Sequence, residues 1–122
     1  MNNYLKTVST LAMAQGVAAH LNQMYAGKPR RATADKMIER ITVAYESAAE
    51  CWPDPNAKQI STIVKHMHRM QRVFYDTHIS ADTSYTLAIL EDLLAHITDR
   101  KRYAAIDRLH TAIQKVHKYF DR

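Results

Sequence analysis

Apolar side chains recur at steps of three and four residues along almost the whole chain, and that spacing favours helices over strands, which need strict alternation. In the first segment Tyr4, Val8, Leu11, Ala14, Ala18, Leu21 and Tyr25 fall on one face, and Gly27-Lys28-Pro29 ends it. Only two glycines and three prolines occur among the 122 residues. All-β sandwiches and barrels need many more turn residues than that. A chain of this length removes roughly two-thirds of its unfolded surface on folding, which supports one helical core without disulfides or metals.

The same periodicity divides the rest of the chain. A second helix is expected from Thr33, as N-cap, through Ile38, Ile41, Tyr45, Ala48 and Trp52 to a stop at Pro53. Asp54 and Pro55 read as N-cap and first-turn proline of a third helix. That helix carries Ile60, Ile63, Val64, Met67, Met70 and Phe74 on its apolar face and fades by His78. Ser80 or Asp82 then caps a fourth, with Leu87, Ile89, Leu90, Leu93, Leu94 and Ile97.

No glycine or proline separates the fourth helix from the C-terminus, so phase must decide whether one helix continues. At about 100° per residue, Leu90, Leu93, Leu94 and Ile97 point one way. Ile106, Leu109, Ile113, Val116 and Phe120 point about 160° away. A straight helix would bury opposite faces at its two ends, so a break near Thr98-Asp99 is expected, with Asp99 capping a fifth helix. The expected fold is all-α: a compact bundle of about five helices joined by short turns, forming one domain over residues 1–122.

The first helix differs from the others, because no formal charge occurs between Lys6 and Lys28. A helix exposed along one side normally carries charge there. An uncharged helix is therefore expected at the centre of the bundle or at an interface between copies of the chain, which makes a homo-oligomer through it one expectation. An exposed neutral face is the least favoured alternative. The stretch is too polar for a membrane span, with Thr7, Ser9, Thr10, Gln15, His20, Asn22 and Gln23. It also lacks the compact apolar run of a secretory signal, although Ala12-Met13-Ala14 has the small-x-small form of a cleavage site. The lone Cys51 forms no internal disulfide and no Cys-x-x-Cys pair is present. A cytoplasmic protein with no membrane contact is expected.

Seven histidines invite a metal hypothesis. His66 and His68 lie about 200° apart on a helix and cannot share an ion. His110 and His117 share a face, but no Glu-x-x-His pair accompanies them. They are expected to flank the core and bond a neighbouring helix, with no metal and no cofactor. Arg72 and His78 have an Arg/His spacing found in small helical ribonucleases. Nine arginines and seven histidines produce such a pair by chance, on the order of once or twice. Nucleophile-elbow, phosphate-loop and metalloprotease motifs are absent from the sequence. No enzymatic activity is expected, a helical ribonuclease being the lesser alternative.

The net charge is +5, and its placement is informative. Lys28, Arg30 and Arg31 precede the second helix, and Arg100, Lys101 and Arg102 fill the first turn of the fifth. Cations at a helix start oppose the macrodipole by about a few tenths of a kcal/mol each, unless an anion binds there. Lys58, Lys65, Arg69 and Arg72 form a basic stripe on the third helix, about 150° from its apolar face. Lys28, Arg30, Arg31, Lys65, Arg69, Arg72, Arg100, Lys101 and Arg102 are the candidate partner- or anion-binding residues. Up-down packing places the 28–31 and 100–102 clusters at opposite ends. Tyr45, Trp52, Phe74 and Phe120 fall on core faces, whereas Tyr75, Tyr85, Tyr103 and Tyr119 suit a partly exposed interface.

The function expected is non-catalytic. A small helical protein of this kind, by fold-level analogy with accessory and phage-type inhibitory proteins, regulates or inhibits a macromolecular partner, and that partner is expected to be a protein. The alternative is a DNA- or RNA-binding protein that uses a basic helix face.

Overall fold

In a computed structural model, residues 3–29, 31–74 and 78–120 are described, apart from the side chains of Asn3 and of residues 66–74. Five helices follow one another: α1 (Asn3–Met24), α2 (Arg31–Ala49), α3 (Ala57–Phe74), α4 (Ile79–His96) and α5 (Arg100–Phe120). The fold is all-α, and the helices pack together as a bundle.

Their boundaries follow local chemistry, in places other than those expected. α1 ends before a turn in which Gly27 takes φ +65°, a backbone conformation open to glycine at no steric cost. α2 starts at Arg31, so Thr33 lies inside its first turn instead of capping it. α3 starts after Asn56, not at Asp54-Pro55. The Asn56 side chain accepts from the Gln59 amide and the Gln59 side chain accepts from the Asn56 amide, both at 2.9 Å. That reciprocal box satisfies two amides at once and fixes the start. α4 is capped by His78, whose Nδ1 accepts from the Ser80 amide, so neither Ser80 nor Asp82 is the cap. The break after α4 falls at Ile97–Asp99. There Asp99 caps α5 as expected, accepting the Arg102 amide at 2.9 Å. The expected end of the third helix near His78 falls partly on residues 75–77, outside the described residues.

Four helices close a ring: α1 packs on α2, α2 on α5, α5 on α4 and α4 on α1. α1 also reaches α5 across the middle, and α3 packs on α1 from outside the ring. α1 thus touches all four other helices, the central place that is one expectation for it, while Gln15, Gly16, Ala19, Asn22 and Gln23 leave it an exposed uncharged side. Its Leu11, Ala14, Val17, Ala18 and Leu21 join Ile41, Leu90, Ile106, Leu109, Ile113 and Val116 in one buried cluster. Met13 and Ile63 are buried outside that cluster. The expected core face of α3 is only partly used. Ile63 is buried at 7%, but Ile60 and Val64 keep 47% and 41% of their surface exposed, because among the described residues it is chiefly α1 that covers this helix. Met67, Met70 and Phe74 have side chains outside the described residues.

Polar contacts fix the register between antiparallel neighbours. Lys6 meets Asp92 at 2.7 Å and His20 meets Asp82 at 3.1 Å, aligning α1 with α4. His110 meets Glu91 at 3.1 Å and His117 meets the buried Thr83 hydroxyl at 2.8 Å, aligning α5 with α4. His110 and His117 flank the core and bond a neighbouring helix, as expected. Burial holds the Asp82 carboxyl above its usual 3.8, while hydrogen bonds from His20 and Thr86 and the His20 charge pull the other way. At Asp92 the hydrogen bond and charge of Lys6 hold the carboxyl below 3.8.

Two outcomes follow for stability. Ala18, at 6% exposure, has no room or partner for a charge, so Ala18→Glu destabilises by several kcal/mol, roughly, whereas Gln15→Glu on the exposed side changes little. Thermal unfolding of both variants checks this; equal melting temperatures contradict it. The second outcome concerns pH. An acid with a raised folded-state pKa contributes stability below its unfolded value and loses it as pH rises through the folded one. A depressed acid does the reverse. Asp82→Asn therefore removes a component of stability that falls with rising pH above 3.8. Asp92→Asn removes a component that is lost as pH falls below 3.8. Urea titrations at pH values from about 3 to 7 read both, and parallel curves for wild type and Asp82→Asn would contradict a raised Asp82 carboxyl.

Candidate functional site

The nine basic candidates separate once placed on the fold. Arg31 belongs to the end of the bundle where α1 finishes and α2 starts. Its guanidinium donates to the Asp35 carboxylate at 2.7 Å, and to the Asn22 side-chain oxygen and carbonyl at 2.6 and 3.2 Å. It thereby caps the last turn of α1 and ties it to the first turn of α2. Arg102 does similar work at the other end. Its Nε donates to the Cys51 carbonyl at 3.1 Å and its guanidinium lies 5.0 Å from the Trp52 ring centre, a cation–π distance. Among the described residues the two clusters are at opposite ends, and Arg31 in one and Arg102 in the other are engaged within the chain.

The other candidates divide as follows. Lys28, Lys65, Arg100 and Lys101 are exposed, and among the described residues none forms an ion pair. Arg30 lies outside the described residues, as do the side chains of Arg69 and Arg72, whose backbone belongs to α3. Within the described part of α3, Lys58 and Lys65 are both exposed, with Ser61 and Thr62 between them. Lys58 and Lys65 lie about 100–160° round the helix from the uncovered Ile60 and Val64.

Periodicity also offers a row that the local clusters concealed. Lys101, Arg108 and Lys115 are exposed at heptad spacing along α5, with Ala104, Thr111 and Lys118 beside them. None of these cations is in an ion pair among the described residues. Because α3 packs on α1, and α1 is diagonal to α5 in the ring, this row and the described cations of α3, Lys58 and Lys65, lie on different parts of the bundle.

A half-open cleft of about 540 Å³ lies where α1 and α5 begin and α2 and α4 end, lined by Tyr4, Lys6, Trp52, His96, Asp99 and Arg102 among others. Several of its polar groups are bonded within the fold. The Tyr4 hydroxyl donates to the Pro53 carbonyl, and His96 Nδ1 bonds the Asp92 carbonyl at 2.8 Å. Lys6 is held by Asp92, and Asp99 by the Arg102 amide. The cleft is a joint of the fold in which Tyr4, His96 and Arg102 bond backbone carbonyls, Lys6 bonds Asp92 and Trp52 stacks under Arg102. By sequence Trp52 belongs to a core face and Arg102 to an anion site; their meeting is legible only once α2 and α5 are neighbours. Among the described residues no three His, Cys, Asp or Glu side chains converge as a metal site would require, and no helix is long and apolar enough to cross a membrane.

Tyr85 and Tyr103 are exposed at 46% and 44%, as expected, while Tyr119 packs edge-on against Phe120 with ring centres 4.9 Å apart. Tyr45, Trp52 and Phe120 pack against the core; Tyr75 and the Phe74 side chain lie outside the described residues.

Removing the Arg102 side chain loses one hydrogen bond to a carbonyl and one cation–π contact. Arg102→Ala is expected to lower stability by about 1–3 kcal/mol, while Lys101→Ala stays within about 0.5 kcal/mol of wild type. Chemical denaturation of the pair measures the difference; equal midpoints would show that Arg102 does not hold the α2–α5 joint.

The chain matches no protein-family model, no curated protein and no solved structure in comparisons with each, so its functional reading rests on this geometry.

Proposed function

We propose that this chain is a non-catalytic binding protein that regulates or inhibits a macromolecular partner, and that the partner is a protein. The observation that carries this reading is the uncovered edge of α3. Ile60 and Val64 stand one helical turn apart and remain about half exposed. Fully burying an aliphatic side chain of this size contributes about 1.5–3 kcal/mol, so two half-exposed ones leave a gain of that order for a partner to realise. Exposed apolar side chains on a helix that also carries cations suit a protein surface, since nucleic-acid backbones draw mainly on charge.

A second reading rests on the row Lys101, Arg108 and Lys115 along α5. Regularly spaced cations separated by small residues suit a polyanion such as DNA or RNA. Each contact with a duplex phosphate would contribute a log–log salt slope of about −0.9.

Two measurements separate the readings. Binding to a DNA duplex and to a structured RNA at about 150 mM salt is expected to be micromolar or weaker and non-specific. A protein captured from the cells that make the chain is expected to be retained by Lys101→Ala/Arg108→Ala/Lys115→Ala and lost with Ile60→Asp/Val64→Asp. Nanomolar, selective nucleic-acid binding whose salt slope falls by two to three units, roughly, in the α5 variant would favour the second reading.

A further inference from the structure

Building on the protein-partner reading, we infer that the face of α3 receives an acidic amphipathic helix of the partner. Ala57, Ile60 and Val64 are exposed at i, i+3 and i+7. That is the ridge spacing by which one helix packs along another. Beside this ridge, Lys65 follows Val64 about 100° further round the helix, on the side of Lys58. Both lysines are exposed and neither forms an ion pair among the described residues. The ridge therefore has an apolar line and a cationic rim. Its complement is a helix with apolar residues at the same spacing and carboxylates along one flank.

Charge also argues against two other occupants. α3 contains Lys58, Lys65, Arg69 and Arg72 but no Asp or Glu from Ala57 to Phe74. A second copy packing α3 against α3 would set cations against cations, and like charges brought together across an interface oppose association. A nucleic acid would engage the lysines but leave Ile60 and Val64 in water, gaining nothing from the feature that distinguishes this face. The acidic helix alone uses both the ridge and the rim. Its carboxylates would steer encounter toward a chain of net charge +5, and the apolar ridge would hold the complex once formed.

The test presents the full chain with displayed random peptides as long as α3, 18 residues. The selected pool is rescreened on Ile60→Asp/Val64→Asp and on Lys58→Glu/Lys65→Glu. All four substitutions fall on exposed positions, and circular dichroism confirms that each variant is folded. Enriched peptides are expected to carry apolar residues at i, i+3 or i+4, and i+7, flanked by Asp or Glu. They are expected to lose about tenfold or more in affinity on each variant, and to bind more slowly to wild type as salt rises. Peptides lost on the Asp variant but indifferent to charge reversal, or flanked by basic residues, would overturn the acidic partner while leaving α3 a protein-binding face. Peptides indifferent to both variants would remove α3 and the protein reading built on it. Sedimentation of the chain alone supplies a further check: a dimer abolished by Ile60→Asp/Val64→Asp would make the occupant a second copy and overturn the inference.

Discussion

Every other helix of this chain reaches α1, and α1 admits them because its sides carry almost no charge. Ala14, Val17, Ala18 and Leu21 are buried on it together with the hydroxyl residues Thr7, Ser9 and Thr10. Small side chains let helix backbones approach, and hydroxyls can bond the helix's own carbonyls. Thr10 does so with the Lys6 carbonyl at 2.7 Å. A charged residue at any of these sites would bring an unpaired ion into the core, with a penalty comparable to a large part of a small domain's stability. The ring of α1, α2, α5 and α4 depends on that tolerance, and so does α3, whose packing among the described residues is chiefly on α1.

The ring fixes what the surface offers. α2, α4 and α5 each have two ring neighbours, whereas among the described residues α3 is covered chiefly from one side, by α1. A helix with a broad apolar face and one main neighbour keeps part of that face in water, and among the described residues Ile60 and Val64 belong to that part. Charge follows the same logic. Arg31 and Arg102, which sit where helix ends meet, are drawn into capping carbonyls and stacking on Trp52. Lys58, Lys65, Lys101, Arg108 and Lys115 lie along helix flanks and remain exposed. The exposed apolar and basic surface is thus the remainder left by the fold's own use of those residues.

Much of the architecture is legible from spacing, because helical periodicity is a local property. The five helices, the stop at Gly27-Lys28-Pro29, the break at Ile97–Asp99 and the Asp99 cap all follow from it. The reciprocal Asn56–Gln59 box is equally local and readable, but Asp54-Pro55 offers a competing start. His78 as a cap is obscured because imidazole is not among the common capping groups. Asp82 resembles a cap in sequence because its partner, His20, lies 62 residues away. Exposure of Ile60 and Val64 is hidden for the same reason: periodicity marks a face as apolar without counting the helices that cover it. Arg102 likewise needs the Cys51 carbonyl, 51 residues distant, to disclose its structural role.

Among the described residues α3 is the outlying helix of this bundle, held chiefly by α1, with Ile60 and Val64 on an exposed edge. Native-state hydrogen exchange tests that arrangement most directly, because amides report the free energy of opening element by element. The α3 amides up to Lys65 are predicted to exchange through a partial opening, at a lower free energy than the buried amides of α1, α2, α4 and α5, which open with global unfolding. Ile60→Asp is predicted to leave the protection of those four helices unchanged. Protection of α3 equal to that of the ring, lost in step with it on adding denaturant, would contradict an outlying α3.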